Sequence, residues 1–342
     1  APDPGSFPAT DQKGYHESAP FAKFNDFRVQ AMHTIASLGA HIKYGHSEVG
    51  NFTLGGMIYE QNEIEFLPGP ALSSADHLML AKWVIRNLAS IHGLEVTFAP
   101  KISVGKAGSG FHIHMRLMKD GKNVTQTAER TLSDDAKRAI AGLMKMAPAI
   151  TAFGNCNPTS YLRLVPHQEA PTAVCWGDRN RSVLVRVPLG WTSGKDMCVQ
   201  TNPGDPCGIE TYGKQTFEMR SPDCSADVYA LIASLCVAAR IGFEMDDALE
   251  VAKDTYVDVN IHAADNASRL ARLTTLPTCC VESADKLEEM REYFEARGVF
   301  SPSMIDAAVS KLRAYDDRNL AQYLKDNPEE VKSLVKEYFH CG

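Results

Sequence analysis

Ser74 precedes Leu78, Ala81, Ile85 and Leu88, apolar positions spaced 3–4–3 that stop short of Gly93. That spacing predicts an amphipathic helix capped by the serine hydroxyl. A second helix is expected from Ser133 towards Pro148, and a helical C-terminal part over about 283–342. The latter divides into residues 283–298, 301 to about 316 with Ser301-Pro302 at its start, and 327–339 opened by Asn327-Pro328. Between the helices lie alternating segments at 41–49, 63–67, 111–117, 183–188 and 216–220, which read as strands. Strands and helices in this order suit an α+β fold better than strict βαβ alternation. There is no internal repeat and no low-complexity linker, so residues 1–342 are expected to form one domain.

The most apolar run, 228–243, is shorter than the roughly 20 residues of a membrane span and carries Arg240, so it reads as a buried helix. No membrane partner is expected. Residues 1–16 lack the apolar core of a signal peptide, and the chain opens on Ala1, which implies a processed or truncated start. A net charge of −7 gives no whole-chain signal for nucleic acid, yet leaves room for a local basic pocket. The nine cysteines form no CxxC pair and no regular framework; they read as reduced thiols in a cytoplasmic protein.

Four segments carry chemistry. In Lys106-Ala-Gly-Ser-Gly-Phe-His-Ile-His-Met-Arg-Leu117, strand alternation sets His112, His114 and Arg116 on one face and Ile113, Met115 and Leu117 towards a core. Two imidazoles and a guanidinium on one face call for a metal, an anion or plain solvent. The Gly108-Ser109-Gly110 turn lets backbone N–H groups approach a carboxylate or phosphate. In Thr216-Phe-Glu-Met-Arg-Ser-Pro222, Glu218 and Arg220 share a face, either as an ion pair or as part of a site. Gln61, Glu63 and Glu65 share another, which is a solvated edge or a cation site, and Glu48 follows His46 at the end of a further alternating stretch. The fourth segment runs Asn157-Pro-Thr-Ser-Tyr-Leu-Arg-Leu-Val-Pro-His-Gln-Glu-Ala-Pro171 and resumes at Gly177-Asp-Arg-Asn-Arg-Ser-Val-Leu-Val-Arg-Val-Pro188. It gathers Arg163, Arg179, Arg181 and Arg186 around Glu169 in an otherwise acidic chain, which points to phosphate chemistry.

In order and approximate spacing, GSGFHIH, NPTSYLRLVPHQEAP, DRNRSVLVRVP and FEMRSPD resemble the segments of glutamine synthetases, with HSEVG, EQNEIEF, KGY and LPTCCVESADKL as weaker matches. The resemblance covers roughly residues 13–317. It implies a curved, mainly antiparallel sheet flanked by helices, the glutamine synthetase/guanido kinase-like catalytic fold. It also implies an ATP-dependent ligase that makes glutamine from glutamate and ammonia through γ-glutamyl phosphate, with two or three Mg²⁺ or Mn²⁺ ions per site. Glu48 and Glu63 match ligands of one metal, and His112 and Glu218 ligands of a second. His114 matches a residue near the nucleotide, while Arg181 and Arg186 match cations on the transferred phosphate. Arg163, Arg220 and Gly108 match contacts to glutamate. Glu169 matches a flexible-loop carboxylate at the ammonium site, with Tyr15 near it. The resemblance further implies a homo-oligomer built as a double ring.

Several positions depart from the family pattern. Ala107 replaces the asparagine usual before GSG, Arg116 stands where serine is common, and Glu48 and Glu63 are further apart than usual. Nothing between Val259 and Leu276 matches the adenylylated-tyrosine motif, and the N-terminal β-grasp domain with its Glu-x-Glu strand is not in the sequence, so an incomplete site is expected of this chain alone. Two other readings stay open: a γ-glutamyl-amine ligase of the same superfamily, and a non-catalytic structural relative. A zinc hydrolase using the His-Ile-His pair would want further ligands at suitable spacing.

Overall fold

The computed structural model of the chain describes residues 7–165, 170–189, 204, 213–260 and 264–342. Helix α1 (Asn25–Ser37) leads into a long antiparallel hairpin, β1 (Ile42–Leu54) and β2 (Met57–Phe66), and then into α2 (Ala71–Ile91). After β3 (Ile113–Met115) and the small hairpin β4 (Met118–Lys119) and β5 (Lys122–Asn123) come α3 (Asp134–Gly154) and α4 (Ser160–Arg163). Strands β6 (Trp176–Asp178), β7 (Val185–Val187) and β8 (Phe217–Met219) follow. The C-terminal part holds α5 (Val228–Glu244), α6 (Ala248–Asp254), α7 (Ala267–Leu270), α8 (Cys280–Glu289), α9 (Arg291–Glu295), α10 (Pro302–Arg313), α11 (Leu320–Asp326) and α12 (Glu330–Glu337).

The α+β expectation holds. A four-stranded sheet runs β3-β8-β7-β6, antiparallel except for the parallel pair β6–β7. Phe217 and Met219 of β8 point into the main core, as alternation requires, and Leu184 and Val185 beside β8 are equally buried. Against them lies α3, which is Ala-rich and buries most of its length. It crosses α5 closely: a methyl on Gly142 would sit 1.9 Å from the Ala238 carbonyl oxygen, and one on Gly242 1.9 Å from that of Arg138. Only glycine fits either position. The hairpin has its own smaller core of Ile35, Ala40, Ala81 and Val84, contributed by α1, α2 and the chain between them.

Ser133 caps α3 by accepting the Ala136 N–H at 3.1 Å, and Ser301 caps α10 ahead of Pro302. The run from Val228 forms the buried helix α5. Other boundaries moved. Helix α2 starts a turn before Ser74, because Pro70 brings the chain in with extended backbone and its carbonyl accepts the Ser74 N–H at 2.9 Å. Ser283 lies inside α8, hydrogen-bonded to Thr151 at 2.7 Å. The start of α8 is instead satisfied by the buried Asp317 carboxylate, which accepts the Cys280 and Val281 N–H groups at 2.9 and 3.1 Å. Asn327 ends α11, and α12 begins after Glu329.

Candidate active site

The β1–β2 register sets one wall of the site. His46 stands directly opposite Glu63, and Glu48 lies two residues along on the same face. Between Ser47 and Asn51 the pairing breaks, so that residues 48–50 face Gln61 alone. This bulge turns Glu48 towards Glu63. One ligand atom from each of His46, Glu48 and Glu63 lies within 4.8 Å of the others. Burial, then the nearby Glu48 and Glu65 carboxylates, raise Glu63 above the ordinary carboxylate range, although His46 opposes them.

Residues 12–16 lie along the outer edge of β1: the N–H groups of Gln12, Gly14 and His16 donate to the carbonyls of Asn51, Val49 and Ser47 at 2.9, 3.3 and 2.9 Å. The approach at Gly14 is tight, since a methyl there would meet the Glu48 carbonyl oxygen at 2.5 Å. The strap stacks His16 on His46 with ring centroids 4.4 Å apart and brings Tyr15 edge-on at 5.5 Å.

The facing wall is built by β3, β7 and β8. Phe111, Ile113, Met115 and Leu117 pack on the core, while His112, His114 and Arg116 line a cleft. Across the ladder Glu218 is paired with His114, not His112. The Glu218 carboxylate is wholly buried and lies 2.6 Å from His114 Nε2, 2.5 Å from Arg186 Nε and 3.6 Å from Arg220 Nε. Burial alone would raise this carboxyl. The hydrogen bond from His114 and the charge of the Arg186 guanidinium outweigh it, bringing Glu218 down to about 2. His112, just ahead of β3, opens onto the cleft but is surrounded by protein. That desolvation, joined by the charges of Arg220, Arg163 and Arg186 against the opposing Glu218, holds it down to about 3, so it is a neutral nitrogen donor at ordinary pH. Arg220 is lowered to about 10 by burial and by Arg186.

The Gly108-Ser109-Gly110 turn rests on Arg163. The Arg163 guanidinium is buried and donates to the carbonyls of Ser221 (2.7 Å), Pro222 (3.2 Å) and Arg220 (3.2 Å). A methyl on Gly110 would come 2.6 Å from Arg163 Nη2, so the turn can lie this low only without side chains. Gln61 ties the turn to the other wall. Its Nε2 donates to the Gly108 carbonyl at 3.0 Å and to Ser109 Oγ at 3.1 Å, while its Oε1 accepts the Gly50 N–H at 3.0 Å. Arg220 also donates to the carbonyls of Val183, at 3.2 Å, and Arg181.

One cleft of 2210 Å³ is lined by all of Tyr15, Glu48, Glu63, Gly108, His112, His114, Arg163, Arg181, Arg186, Glu218 and Arg220. Glu169 lies outside the described residues. The chain region 3–327 matches the family described as glutamine synthetase, catalytic domain. The chain belongs to the glutamine synthetase catalytic-domain family. It is 31% identical over 331 residues to the glutamine synthetase of Pyrococcus abyssi, covering 96% of this chain and 68% of that protein. It is 33% identical over 304 residues to that of Mycolicibacterium smegmatis, covering 88% and 57%. A solved glutamine synthetase from Plasmodium falciparum superposes with a TM-score of 0.70 at 20% identity, over 91% of this chain and 62% of that one, which supports the fold. The chain therefore spans about 57–68% of the length of these glutamine synthetases. Among the described residues no single helix is long and apolar enough to cross a membrane.

Sequence reasoning missed two members of the site. His46, which lies with Glu48 and Glu63, was not singled out, although a His-x-Glu pair on a strand puts both side chains on one face. Gln61 was grouped with Glu63 and Glu65 for its face, but nothing local to it announces a partner 47 residues away.

Proposed function

We propose that this chain is the catalytic part of an ATP-dependent glutamate–ammonia ligase that forms glutamine through γ-glutamyl phosphate. The observation that carries the reading is that a carboxylate-rich wall and an arginine-rich wall face the same cleft. A carboxylate is a poor electrophile, and phosphoryl transfer from ATP gives it a good leaving group. Arg181 and Arg186 would bind the transferred phosphoryl group and offset its charge. Gly108, Arg163 and Arg220 would orient glutamate, Arg163 by holding the glycine turn low, and His114 would lie near the nucleotide. Of the two or three Mg²⁺ or Mn²⁺ ions that this reading implies, one would be held by oxygens of Glu48 and Glu63, whose ligand atoms converge, and a second by His112 and Glu218, where Glu218 would exchange its pairing with His114 and Arg186 for the ion. Bound there, they would supply electrostatic stabilisation to the phosphates. Tyr15 and Glu169 would serve the ammonium ion, with Glu169 accepting its proton. The same reading makes the protein a cytoplasmic homo-oligomer arranged as a double ring.

A second reading, a γ-glutamyl-amine ligase, is favoured by the exposed rings of Tyr15 and Tyr44 beside the imidazoles of His16 and His46, a surface suited to an alkylammonium ion. The test measures glutamate-dependent ATP hydrolysis and amide formation by the full-length protein with ammonia and with methylamine. Preference for ammonia supports the first reading, and preference for methylamine the second. Hydrolysis that ignores glutamate would sink both.

A further inference from the structure

The His46 ring is held as a metal ligand is held, yet its free nitrogen serves no hydrogen bond that the structure describes. Its Nδ1 lies 2.9 Å from the Ser47 carbonyl oxygen. A carbonyl can only accept, so Nδ1 carries the proton and the neutral ring keeps its lone pair on Nε2. That nitrogen is 3.9 Å from Glu63 Oε2, too far for a hydrogen bond. His46 is 8% exposed, stacked on His16 and flanked by Tyr15 and Tyr44, so the ring is fixed before any ligand arrives. Glu48 is anchored too, since its Oε2 accepts the Val49 N–H at 2.7 Å. An imidazole whose second nitrogen donates to a backbone carbonyl, with two carboxylates converging on the first, is a recurrent arrangement for binding transition metals.

We propose that His46 Nε2 is the third protein ligand of the ion held by Glu48 and Glu63, making this a His–Glu–Glu site that favours Mn²⁺ and later first-row ions over Mg²⁺. The proposal rests on the ligase reading only in taking the two carboxylates as metal ligands. An all-oxygen site suits Mg²⁺, whereas one imidazole raises affinity for transition ions without a matching gain for Mg²⁺. The register makes the geometry: His46 is opposite Glu63 because of the ladder, and Glu48 joins them because of the bulge.

The experiment uses the full chain with Mn²⁺ alone, read by pulsed EPR for histidine-nitrogen coupling and by titration for affinity. His112 and His114 are replaced together by Asn, so that neither contributes a nitrogen. In this background the coupling is expected to persist, and to vanish when His46→Asn is added. His46→Asn in the otherwise unchanged chain is expected to weaken Mn²⁺ binding on the order of 10–100-fold, the cost of disturbing even an outer partner of a metal ligand, and to change Mg²⁺ binding far less. Glu48→Gln and Glu63→Gln separate the two ideas. If Mn²⁺ binding needs both carboxylates but no nitrogen coupling is seen in the His112/His114 variant, the His46 proposal is overturned and the carboxylate site stands. If binding is indifferent to both carboxylates, the proposal and the metal assignment beneath it fail together.

Discussion

The two walls of the cleft each present a carboxylate, Glu63 and Glu218, on dissimilar supports. Glu218 sits on the main sheet, with Phe217 and Met219 on either side of it locked into the large core that α3 and α5 complete. Glu63 sits on a two-stranded hairpin backed by a small core, with its own side chain nearly half exposed. A carboxylate buried among Arg186, Arg220 and His114 is part of what folds the protein. A carboxylate on the hairpin answers to the solvent and to whatever cation arrives. Glu218 is thus fixed by folding, and Glu63, beside the anchored His46 and Glu48, is the carboxylate left to respond to binding.

Neutralising one carboxylate on each wall is the strongest way to break this contrast. Glu218→Gln leaves buried cations without a counter-charge and is expected to cost about 3–5 kcal/mol, whereas Glu63→Gln should change stability by no more than about 1 kcal/mol. Urea unfolding monitored by circular dichroism measures both, and equal losses would erase the distinction.

The walls should also respond to acid with opposite sign. Glu218, held near 2 against an ordinary 4.5, contributes stability above 4.5 that is lost as pH falls through 2. His112, held near 3 against an ordinary 6.5, has the same sign: the unfolded chain takes up its proton first, and stability declines as pH drops below 6.5. Glu63 is raised, so its contribution is full below 4.5 and disappears as pH rises through its folded value. Unfolding free energies across the acid range should therefore show a shallower acid limb for Glu218→Gln and His112→Gln, and a steeper one for Glu63→Gln. A common direction for all three would contradict these assignments.

Packing gives a smaller contrast. Gly142→Ala drives a methyl into the α5 backbone and should cost about 1–3 kcal/mol or more. Gly55→Ala, at φ +60° in the open hairpin turn, meets no neighbour, and only backbone strain of about 1 kcal/mol remains. Thermal denaturation of the pair decides it. The smallest effect belongs to Lys43→Ala, which removes the 2.6 Å ion pair to Glu65 on the hairpin surface. It should cost well under about 1 kcal/mol and fade further in salt; a larger loss would mean that the hairpin depends on its surface charges.

Much of this was legible in the residues, and what was hidden is of one kind. Period-2 alternation located both faces of the His112–Leu117 segment and of the Glu218 strand, because a strand offers its side chains only two directions. Ser133 and Ser301 announced their helices through local hydrogen bonds. Ser74 and Ser283 misled for the same reason: the cue was present, but Pro70 and the distant Asp317 supplied the actual starts. The pairing of Glu218 with His114 rather than His112 depends on ladder register, which is set by the core packing of residues about 100 positions apart. The His46 cluster likewise depends on which residue of β2 lands opposite, and on a bulge that no local pattern encodes.

The Gln61 amide has a consequence of its own. Three hydrogen bonds from one side chain reach the β1 bulge and the glycine turn together. A shift of the bulge, were an ion to cause one, would reach the turn that lies over Arg163 through this single side chain. Occupancy on the hairpin and geometry at the turn would then be linked equilibria. By reciprocity, if an ion bound on the hairpin moved the turn, a ligand that moved the turn would change the hairpin's affinity for that ion by the same factor.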